Sequence, residues 1–526
     1  MSSRMSEALT VLDLIHRWGE ERPDRTAFRF LRSDESVGEE VSYAALRRNA
    51  LAIARALSAH ASPASRALLL FETEPGFVDA FFGCLAAQVI AVPADPPHGR
   101  RAWGGIDRIV RDCQPATILT TRTLQQRWER QLAQLCATHA CRVLTVEDCL
   151  AAGDGAVRPA AVPVTIDASR VAFLQYTSGS TSHPKGVMVT HDNIIANVRM
   201  LQETFSLDAG TRMVGWLPLF HDMGLIGFVL VPVYLGCTST ILSPAAFLEK
   251  PVRWLRAIAR YRGTISSSPN FAYDFCAAKI RPEDREGLDL SSWGAALNGS
   301  EPVSARTVRR FQETFADHGL RPDVFRPCYG MAEATLLVSA SEADRPIRVL
   351  PAPGGPGGPG GNDALSDAAF WIETADVVGC GPSPRGTVIR IVDPVSRIEC
   401  SSGQVGEVWF QGENVAAGYW GNPSATEEAF GARLAVGPEH LASGRVESVD
   451  LVPPTQVHDA VDHDRRRLHR LEHGGLEHKR RLQLPDIATV DLIAGVVARL
   501  LVAAVGMNPV LRITRCRIQH RLCDRH

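Results

Sequence analysis

The repeated alternation of strand-like and helix-like segments constrains the fold of this chain more than any other feature. The strand-like segments are short and apolar, and the helix-like segments carry apolar residues at a spacing of three to four. Strand, helix and strand in repetition predict βαβ units, so we expect an α/β fold with mainly parallel sheets. The predicted strands are ALLLFE, VIAVPA, TILTT, VAFLQY, RMVGWLP, TSTILS, RGTISSS and WGAALNGS. The predicted helices are TVLDLIHRW, AALRRNALAIARAL, FVDAFFGCLAAQ, PVRWLRAIARY and SARTVRRFQETFADHG.

Length, charge and cysteine usage narrow the class of protein. A chain of 526 residues is too long for one compact core, so more than one domain or subdomain is expected. The formal charge of −2 gives no electrostatic case for nucleic acid or an anionic membrane as a partner. Twelve cysteines occur without metal-ligand spacing, which is typical of reduced, mostly buried thiols and predicts a cytoplasmic location.

Neither end of the sequence predicts a membrane segment. The start, MSSRMSEALTVLDLIHRW, has acidic residues and no apolar core long enough for a signal peptide. The most apolar late stretch, from Ile487 to Val505, is interrupted by Asp491 and Arg499. We therefore expect that the protein is not an integral membrane protein.

Composition changes twice in the second half of the chain. The run PAPGGPGGPGGND at 351–363 is of low complexity and predicts a flexible surface loop, and GTVIRIVDP and GEVWFQG after it predict a small β-rich subdomain. The chain has 19 Phe, 9 Trp and 7 Tyr, yet residues 431–526 contain none of them. Because aromatic side chains dominate the energetics of a core, this tail predicts a solvated, disordered segment.

The stretch YTSGSTSHPKG at 176–186 has the composition of a phosphate-binding loop. Gly179 lets the backbone approach a ligand closely, the surrounding hydroxyl groups donate hydrogen bonds, and Lys185 adds a positive charge. The loop is not a Walker A motif, because its lysine precedes the glycine and GxxxxGK[ST] is absent. Taken alone, such a loop is also compatible with a plain surface turn.

The exact string YTSGSTSHPKGV resembles the phosphate loop of adenylate-forming enzymes, the superfamily of acyl-CoA synthetases, luciferases and adenylation domains. Further segments resemble motifs of that superfamily in the same order, over about residues 8–433. The resemblance implies a large domain of stacked βα sheets followed by the small β-rich subdomain. The resembling segments are FVDAFFGCLAAQVIAVPADPP, NGSEPV, RPCYGMAEATLLVS and GEVWFQGENVAAGYWGNPSAT.

The resemblance implies a role for each matching residue, with ATP and Mg²⁺ as the bound nucleotide and metal. The phosphates of ATP are expected at Thr177, Ser178, Gly179, Ser180, Thr181 and Lys185. The adenine pocket is expected at Asn298, Gly299, Ser300, Glu301, Tyr329, Gly330, Met331 and Ala332. Mg²⁺ is expected at Glu333, with the hydroxyl of Thr181 nearby. Without the resemblance, Glu333 would be a carboxylate at a helix N-terminus and Tyr329 a core residue.

The segment GWLPLFHDMGLIG at 215–227 resembles the corresponding segment of the fatty acyl-AMP ligases. The implied substrate-binding residues are His221, Asp222, Met223, Gly224 and Gly227, and the implied catalytic residues are His221, Lys185 and Glu333. The two glycines are expected to leave room for an acyl chain. Taken alone, His221 is better explained as a core histidine capped by Asp222.

An insertion supports the same branch of the superfamily. Fatty acyl-AMP ligases carry extra residues after the YGxxE segment that restrain the C-terminal subdomain and disfavour CoA, and residues 340–378 occupy that place here. The resemblance therefore implies activation of a medium- or long-chain fatty acid, with an acyl carrier protein as the acceptor. An acyl-CoA synthetase is the alternative.

The resemblance ends near residue 433, and the family C-terminal subdomain is expected to be absent or replaced. No RTGD motif follows residue 430, and Lys479 lacks the GRxKD-like surroundings of the family's C-terminal lysine. The change in composition suggests that residues 434–526 are the product of translation in a wrong frame, a hypothesis that the coding DNA would test. Two interpretations stay open: an active ligase with a diverged C-terminal part, or a non-catalytic remnant that binds ATP and fatty acid.

Overall fold

The computed structural model describes residues 10–99, 102–153, 166–177, 184–343, 345–350, 377–401, 405–435 and 516–517. The glycine- and proline-rich run at 351–363 lies outside the described residues, as do the apolar stretch 487–505 and nearly all of the tail after residue 435. The predictions made for these segments therefore stay predictions.

The described residues form fifteen α-helices and nineteen strands, and each strand and helix predicted from the sequence is present. The helices are α1 (Val11–Glu21), α2 (Tyr43–Ser58), α3 (Pro75–Ala86), α4 (Trp103–Cys113), α5 (Arg122–Arg127), α6 (Glu129–His139), α7 (Val146–Gly153), α8 (His191–Thr204), α9 (Asp222–Leu225), α10 (Val231–Leu235), α11 (Pro244–Glu249), α12 (Val252–Arg260), α13 (Asn270–Lys279), α14 (Ala305–Phe315) and α15 (Pro423–Phe430). A π-helix spans Ile226–Leu230, and 3₁₀ helices span Pro282–Arg285, Ala316–His318 and Ala332–Ala334.

The strands fall into two large sheets, a three-stranded sheet and a two-stranded pair. The strands are β1 (Thr26–Leu31), β2 (Val37–Ser42), β3 (Arg66–Leu70), β4 (Ile90–Ala94), β5 (Thr117–Thr120), β6 (Arg142–Thr145), β7 (Val171–Thr177), β8 (Lys185–Thr190), β9 (Arg212–Gly215), β10 (Thr238–Ile241), β11 (Ile265–Pro269), β12 (Ala295–Gly299), β13 (Phe325–Gly330), β14 (Leu337–Ala340), β15 (Val349–Leu350), β16 (Val377–Val378), β17 (Val388–Val392), β18 (Val405–Gln411) and β19 (Cys516–Arg517).

The first large sheet has six strands in the order β6-β5-β3-β4-β7-β8. All neighbours are parallel except the edge pair β7 and β8, which runs antiparallel. Both faces of this sheet are covered, because Ala67 and Leu69 of β3 pack into one apolar cluster while Leu68 and Leu70 pack into another with Val110 of α4. Burial on both faces explains why the predicted strands are apolar throughout rather than alternating.

The second large sheet has eight strands in the order β14-β13-β12-β11-β9-β10-β1-β2. Its central pairs are parallel, and an antiparallel strand closes each edge. Parallel pairing brings the carboxyl ends of β11, β12 and β13 to one edge, with Pro269 opposite Gly299 and Asn298 opposite Pro327. The expected α/β class with mainly parallel sheets is confirmed.

A buried carboxyl group lies where α3 packs against α2. Asp79 is 4% exposed, and its Oδ2 accepts a hydrogen bond of 3.0 Å from the side chain of Asn49. Burial raises the pKa of the Asp79 carboxyl to about 7. Ionisation of this group therefore opposes folding, so its contribution to stability is lost as the pH rises towards 7.

Two findings concern membrane-spanning helices and the state of the cysteines. Within the described residues, no helix combines the length and apolar character that a membrane crossing requires. Ten cysteines among the described residues are reduced thiols, as their spacing predicts.

Candidate functional site

The predicted phosphate loop connects β7 to β8 at the edge of the six-stranded sheet. Thr177 is the last residue of β7 and pairs directly with Lys185, the first residue of β8. The antiparallel register therefore holds a hydroxyl and an ammonium group at the two ends of the loop. The residues between them lie outside the described residues, and the roles predicted for them stay predictions: Ser178, Gly179, Ser180 and Thr181.

The predicted adenine segment begins at the carboxyl end of β12. Gly299 allows a close approach between strands, because a Cβ at this position would lie 2.8 Å from the carbonyl oxygen of Cys328. Ser300 follows with a φ of 65°, a conformation that is rare for a residue with a side chain. Strained backbone of this kind is common at ligand sites, where the surrounding structure holds it in place.

The polar side chains of this segment make defined contacts. Glu301 accepts a hydrogen bond from the backbone N–H of Phe271 at the start of α13. Asn298 is fully buried and donates from Nδ2 to the side chain of Asn270 at 3.3 Å. Both contacts join the end of β12 to the first turn of α13, so they fix the position of the loop that follows the strand.

The second part of the predicted adenine pocket runs from Tyr329 to Ala332. Tyr329 and Met331 are 8% and 7% exposed and pack in an apolar cluster with Val408 of β18. Gly330 allows close packing, because its Cβ would meet the carbonyl oxygen of Leu336 at 2.2 Å. This geometry matches the core-packing alternative for Tyr329, and its stacking on adenine stays a prediction.

Glu333 lies in the 3₁₀ turn Ala332–Ala334 and is 5% exposed. Its Oε1 accepts a hydrogen bond of 2.8 Å from the hydroxyl of Tyr419. The turn ends at Thr335, whose φ of 62° is unusual for a β-branched residue. Thr335 donates from Oγ1 to the backbone oxygen of Asn414 at 2.7 Å, which holds the strained residue in place.

His221 precedes the short helix α9 in the predicted substrate segment. Its Nδ1 lies 2.7 Å from Oδ1 of Asp222, and the backbone N–H of Met223 approaches the same nitrogen at 3.4 Å. We infer from the shorter contact that Nδ1 carries a proton and donates it to the carboxylate. The pairing with Asp222 fixes the orientation of the imidazole ring, as the core-histidine alternative expects, and the role in substrate binding stays a prediction.

The two predicted glycines of this segment differ in their surroundings. A Cβ at Gly224 would lie 1.9 Å from the carbonyl oxygen of Pro218, so backbone fills the space beside this glycine. Gly224 is therefore required for the turn itself, and the expectation that it also leaves room for an acyl chain stays a prediction. A Cβ at Gly227 would meet only the hydroxyl of Ser267, at 3.8 Å, so open space adjoins Gly227.

Two contacts join the predicted phosphate, adenine and substrate segments. Gln175 of β7 donates from Nε2 to the backbone oxygen of Phe220 at 3.0 Å, which connects the strand of the phosphate loop to His221. Ser300 donates from Oγ to the sulfur of Met223 at 3.2 Å, which connects the adenine segment to the substrate segment. Residues 45 and 77 positions apart in sequence are thus brought into contact at one place.

Sequence reasoning assigned no role to Gln175, Asn414 or Tyr419. Gln175 belongs to a strand that reads as apolar, and one polar residue in such a strand, here 4% exposed, was the available signal. Asn414 and Tyr419 lie in the segment GENVAAGYW, which was matched as a whole without roles for its residues. Their contacts depend on pairing with Glu333 and its neighbours, about 80 residues earlier in the chain.

The residues present fit a nucleoside triphosphate with its metal ion. Glu333 offers a buried carboxylate, which is a ligand type that Mg²⁺ prefers, and Lys185 offers a charge that suits phosphate oxygens. The ammonium of Lys185 lies 4.9 Å from the ring centre of Tyr419, the same residue that binds Glu333. Tyr419 thus contacts both the cationic Lys185 and the anionic Glu333.

The chain belongs to the family of AMP-binding enzymes, whose sequence pattern matches residues 15–420. It is 37% identical over 432 residues to the medium-chain-fatty-acid–[acyl-carrier-protein] ligase JamA of Moorena producens, covering 82% of this chain and 72% of that protein. It is 34% identical over 438 residues to the long-chain-fatty-acid–AMP ligase FadD23 of Mycobacterium tuberculosis, covering 81% and 73%.

Solved structures agree with these sequence relatives. The fatty acid AMP ligase from Legionella pneumophila superposes with a TM-score of 0.77 at 30% identity, covering 97% of this chain and 92% of that chain. A structure of fatty acyl-adenylate ligase from L. pneumophila in complex with acyl adenylate and pyrophosphate superposes with a TM-score of 0.76, again at 30% identity, covering 97% and 93%. The expected adenylate-forming fold is confirmed.

Proposed function

We propose that this protein activates a medium- or long-chain fatty acid with ATP, forming an acyl-adenylate and pyrophosphate, and that an acyl carrier protein accepts the acyl group. The observation that carries the proposal is the contact of three motifs through Gln175 with Phe220 and Ser300 with Met223. These contacts connect the segment of His221 to the strand that leads into the phosphate loop and to the adenine segment. A carboxylate site beside a nucleotide site is what acid activation needs.

The reaction requires charge stabilisation rather than a strong base. An oxygen of the fatty-acid carboxylate forms a bond to the α-phosphorus, and the bond from that phosphorus to the pyrophosphate oxygen breaks. Negative charge grows on the leaving group, so we assign Lys185 to stabilise the phosphate oxygens. Bound at Glu333, Mg²⁺ would supply charge neutralisation of the phosphates. We assign His221, oriented by Asp222, to position the fatty-acid carboxylate.

Similarity supports the choice of substrate and acceptor. The relative at 37% identity is named a medium-chain-fatty-acid–[acyl-carrier-protein] ligase, and the relative at 34% identity a long-chain-fatty-acid–AMP ligase. The open space beside Gly227 is compatible with an acyl chain. The free thiols of the described residues support a cytoplasmic location.

The proposal is tested with the purified full chain, MgATP and a series of fatty acids such as octanoate, laurate and palmitate. Pyrophosphate release is measured together with mass spectrometry of the acyl-adenylate, and then a carrier protein bearing its phosphopantetheine arm or CoA is added. Fatty-acid-dependent release with acyl transfer to the carrier protein supports the proposal. Acyl-CoA as the main product would favour the acyl-CoA synthetase alternative. Binding of ATP without pyrophosphate release would favour the non-catalytic remnant.

A further inference from the structure

The segment from Ala416 to Trp420 connects the strand of Lys185 to the turn of Glu333. Its backbone pairs with β8, since the N–H of Met188 donates to Gly418 at 2.8 Å and the N–H of Trp420 donates to Gly186 at 2.8 Å. At its start, the N–H of Ala416 donates to the backbone oxygen of Glu333 at 2.8 Å. One short segment is therefore hydrogen-bonded to both of the elements that carry the predicted phosphate and metal ligands.

Tyr419 lies within this segment and is 3% exposed. Its hydroxyl donates to Oε1 of Glu333 at 2.8 Å, and the ammonium of Lys185 lies 4.9 Å from its ring centre. The ring is held in turn by an edge-to-face contact with Phe430, with centroids 5.3 Å apart and planes at 77°. One tyrosine thus contacts both charged groups assigned to ATP and Mg²⁺, and its own position is fixed by packing.

The chemistry of Tyr419 suits a hydrogen-bond donor. A phenol is protonated at neutral pH, and the Tyr419 hydroxyl lies 2.8 Å from Oε1 of Glu333. The hydroxyl therefore keeps its proton and donates to one carboxylate oxygen, which orients the carboxylate plane. A ligating carboxylate that is oriented by a hydrogen bond binds a metal ion better than one that must be ordered on binding. The ring face meanwhile attracts the ammonium of Lys185.

We propose that Tyr419 is a positioning residue that holds the Glu333 carboxylate and the Lys185 ammonium ready for a magnesium-bound triphosphate. This inference rests on the proposed function, because it concerns the same ATP site. In this proposal, the hydroxyl of Tyr419 orients the Glu333 carboxylate for the metal ion. The ring of Tyr419 positions the Lys185 ammonium for the phosphates.

The test separates the hydroxyl from the ring. Tyr419→Phe keeps the ring and removes the hydroxyl, whereas Tyr419→Leu removes both. Thermal stabilisation of the full chain is measured against Mg²⁺ at fixed ATP and against ATP at saturating Mg²⁺, without fatty acid. We expect Tyr419→Phe to raise the half-saturating Mg²⁺ concentration about tenfold, the loss of one hydrogen bond to a charged group. Tyr419→Leu is expected to raise the half-saturating ATP concentration as well.

Tyr43→Phe is the matched control. The Tyr43 hydroxyl is buried and donates to the backbone oxygens of Pro232 at 3.0 Å and Cys237 at 2.8 Å, and neither residue belongs to the candidate site. This control should lower the melting temperature without changing the half-saturating Mg²⁺ concentration. If Tyr419→Phe changes only the melting temperature, as the control does, Tyr419 is structural and the inference fails. If the wild type shows no stabilisation by MgATP, the proposed function fails together with the inference.

Discussion

Replacement of Asn414 by alanine is the mutation whose cost is best defined by the structure. Asn414 is fully buried below the turn of Glu333, and its Nδ2 donates to the backbone oxygens of Ala334 at 2.8 Å and Leu337 at 3.0 Å. Its own backbone oxygen accepts the hydrogen bond from Thr335. The side chain therefore satisfies two carbonyl groups that flank the strained residue.

The magnitude follows from what the mutation leaves unpaired. The buried Leu337 carbonyl loses its amide donor, which costs about 1–3 kcal/mol. The Ala334 carbonyl keeps the N–H of Leu336 and Nδ2 of Asn197 as donors, so its lost hydrogen bond costs about 1 kcal/mol. Against this, the Oδ1 of Asn414 is itself buried without a hydrogen-bond partner, and its removal returns about 1–2 kcal/mol. We expect a net loss of about 1–2 kcal/mol in the free energy of unfolding, with a loss of pyrophosphate release as the turn of Glu333 relaxes.

Urea unfolding of the full chain, followed by tryptophan fluorescence, measures this change. Asn422→Ala is the matched control, because Asn422 is an exposed N-cap whose Oδ1 accepts a hydrogen bond from the Ala425 N–H at 3.0 Å. Loss of this cap is expected to cost about 1 kcal/mol and to leave pyrophosphate release unchanged. If Asn414→Ala leaves pyrophosphate release as unchanged as Asn422→Ala does, the role assigned to the buried amide is refuted.

Three further predictions concern the phosphate loop, the substrate segment and the buried acid. Lys185→Ala should raise the half-saturating ATP concentration by about tenfold in thermal-shift titrations and leave fatty-acid binding nearly unchanged; equal loss of both would mean that the mutation unfolds the loop. Gly224→Ala should prevent normal folding because of its clash with Pro218, whereas Gly227→Ala should fold, as measured by circular dichroism, and shift the preferred fatty-acid length in pyrophosphate release. An unfolded carboxyl titrates near 3.8 and folded Asp79 near 7, so wild-type stability should fall between these pH values by up to about 1.4 kcal/mol per unit and then level off. Asp79→Asn should make that fall less steep in urea unfolding at pH 5 and pH 8, because burial also raises the pKa of the Glu74 carboxyl to about 7 and its part of the fall remains. An unchanged slope would contradict the role of Asp79.

The strands and helices were predictable because their patterns are local. Strands such as β3 and β7 are mostly apolar because both sheet faces are covered, and this leaves a signal in five to seven consecutive residues. The order of strands was not predictable in the same way. The neighbours β3 and β5 are separated in sequence by α3, β4 and α4, and this pairing follows from tertiary packing.

The candidate site was predictable only where a motif already named its residues. Thr177 and Lys185 lie at the two ends of the loop that connects β7 to β8, which agrees with a loop that binds phosphate. A glycine in a sequence shows missing side-chain volume but not what lies beside it, which at Gly224 is the carbonyl of Pro218. The role of Tyr419 was not visible, because it depends on contacts with Lys185 and Glu333 that only the folded chain brings together.

Fatty-acid-dependent formation of an acyl-adenylate is the direct test of whether this protein activates a fatty acid with ATP. The full chain is incubated with MgATP and laurate, and pyrophosphate and lauroyl-AMP are measured together, with Glu333→Gln as the comparison. We expect equal amounts of both products from the wild type and a large loss of both in the variant. ATP-dependent stabilisation of the wild type without either product would contradict this expectation, and would show that the chain binds the nucleotide without activating an acid.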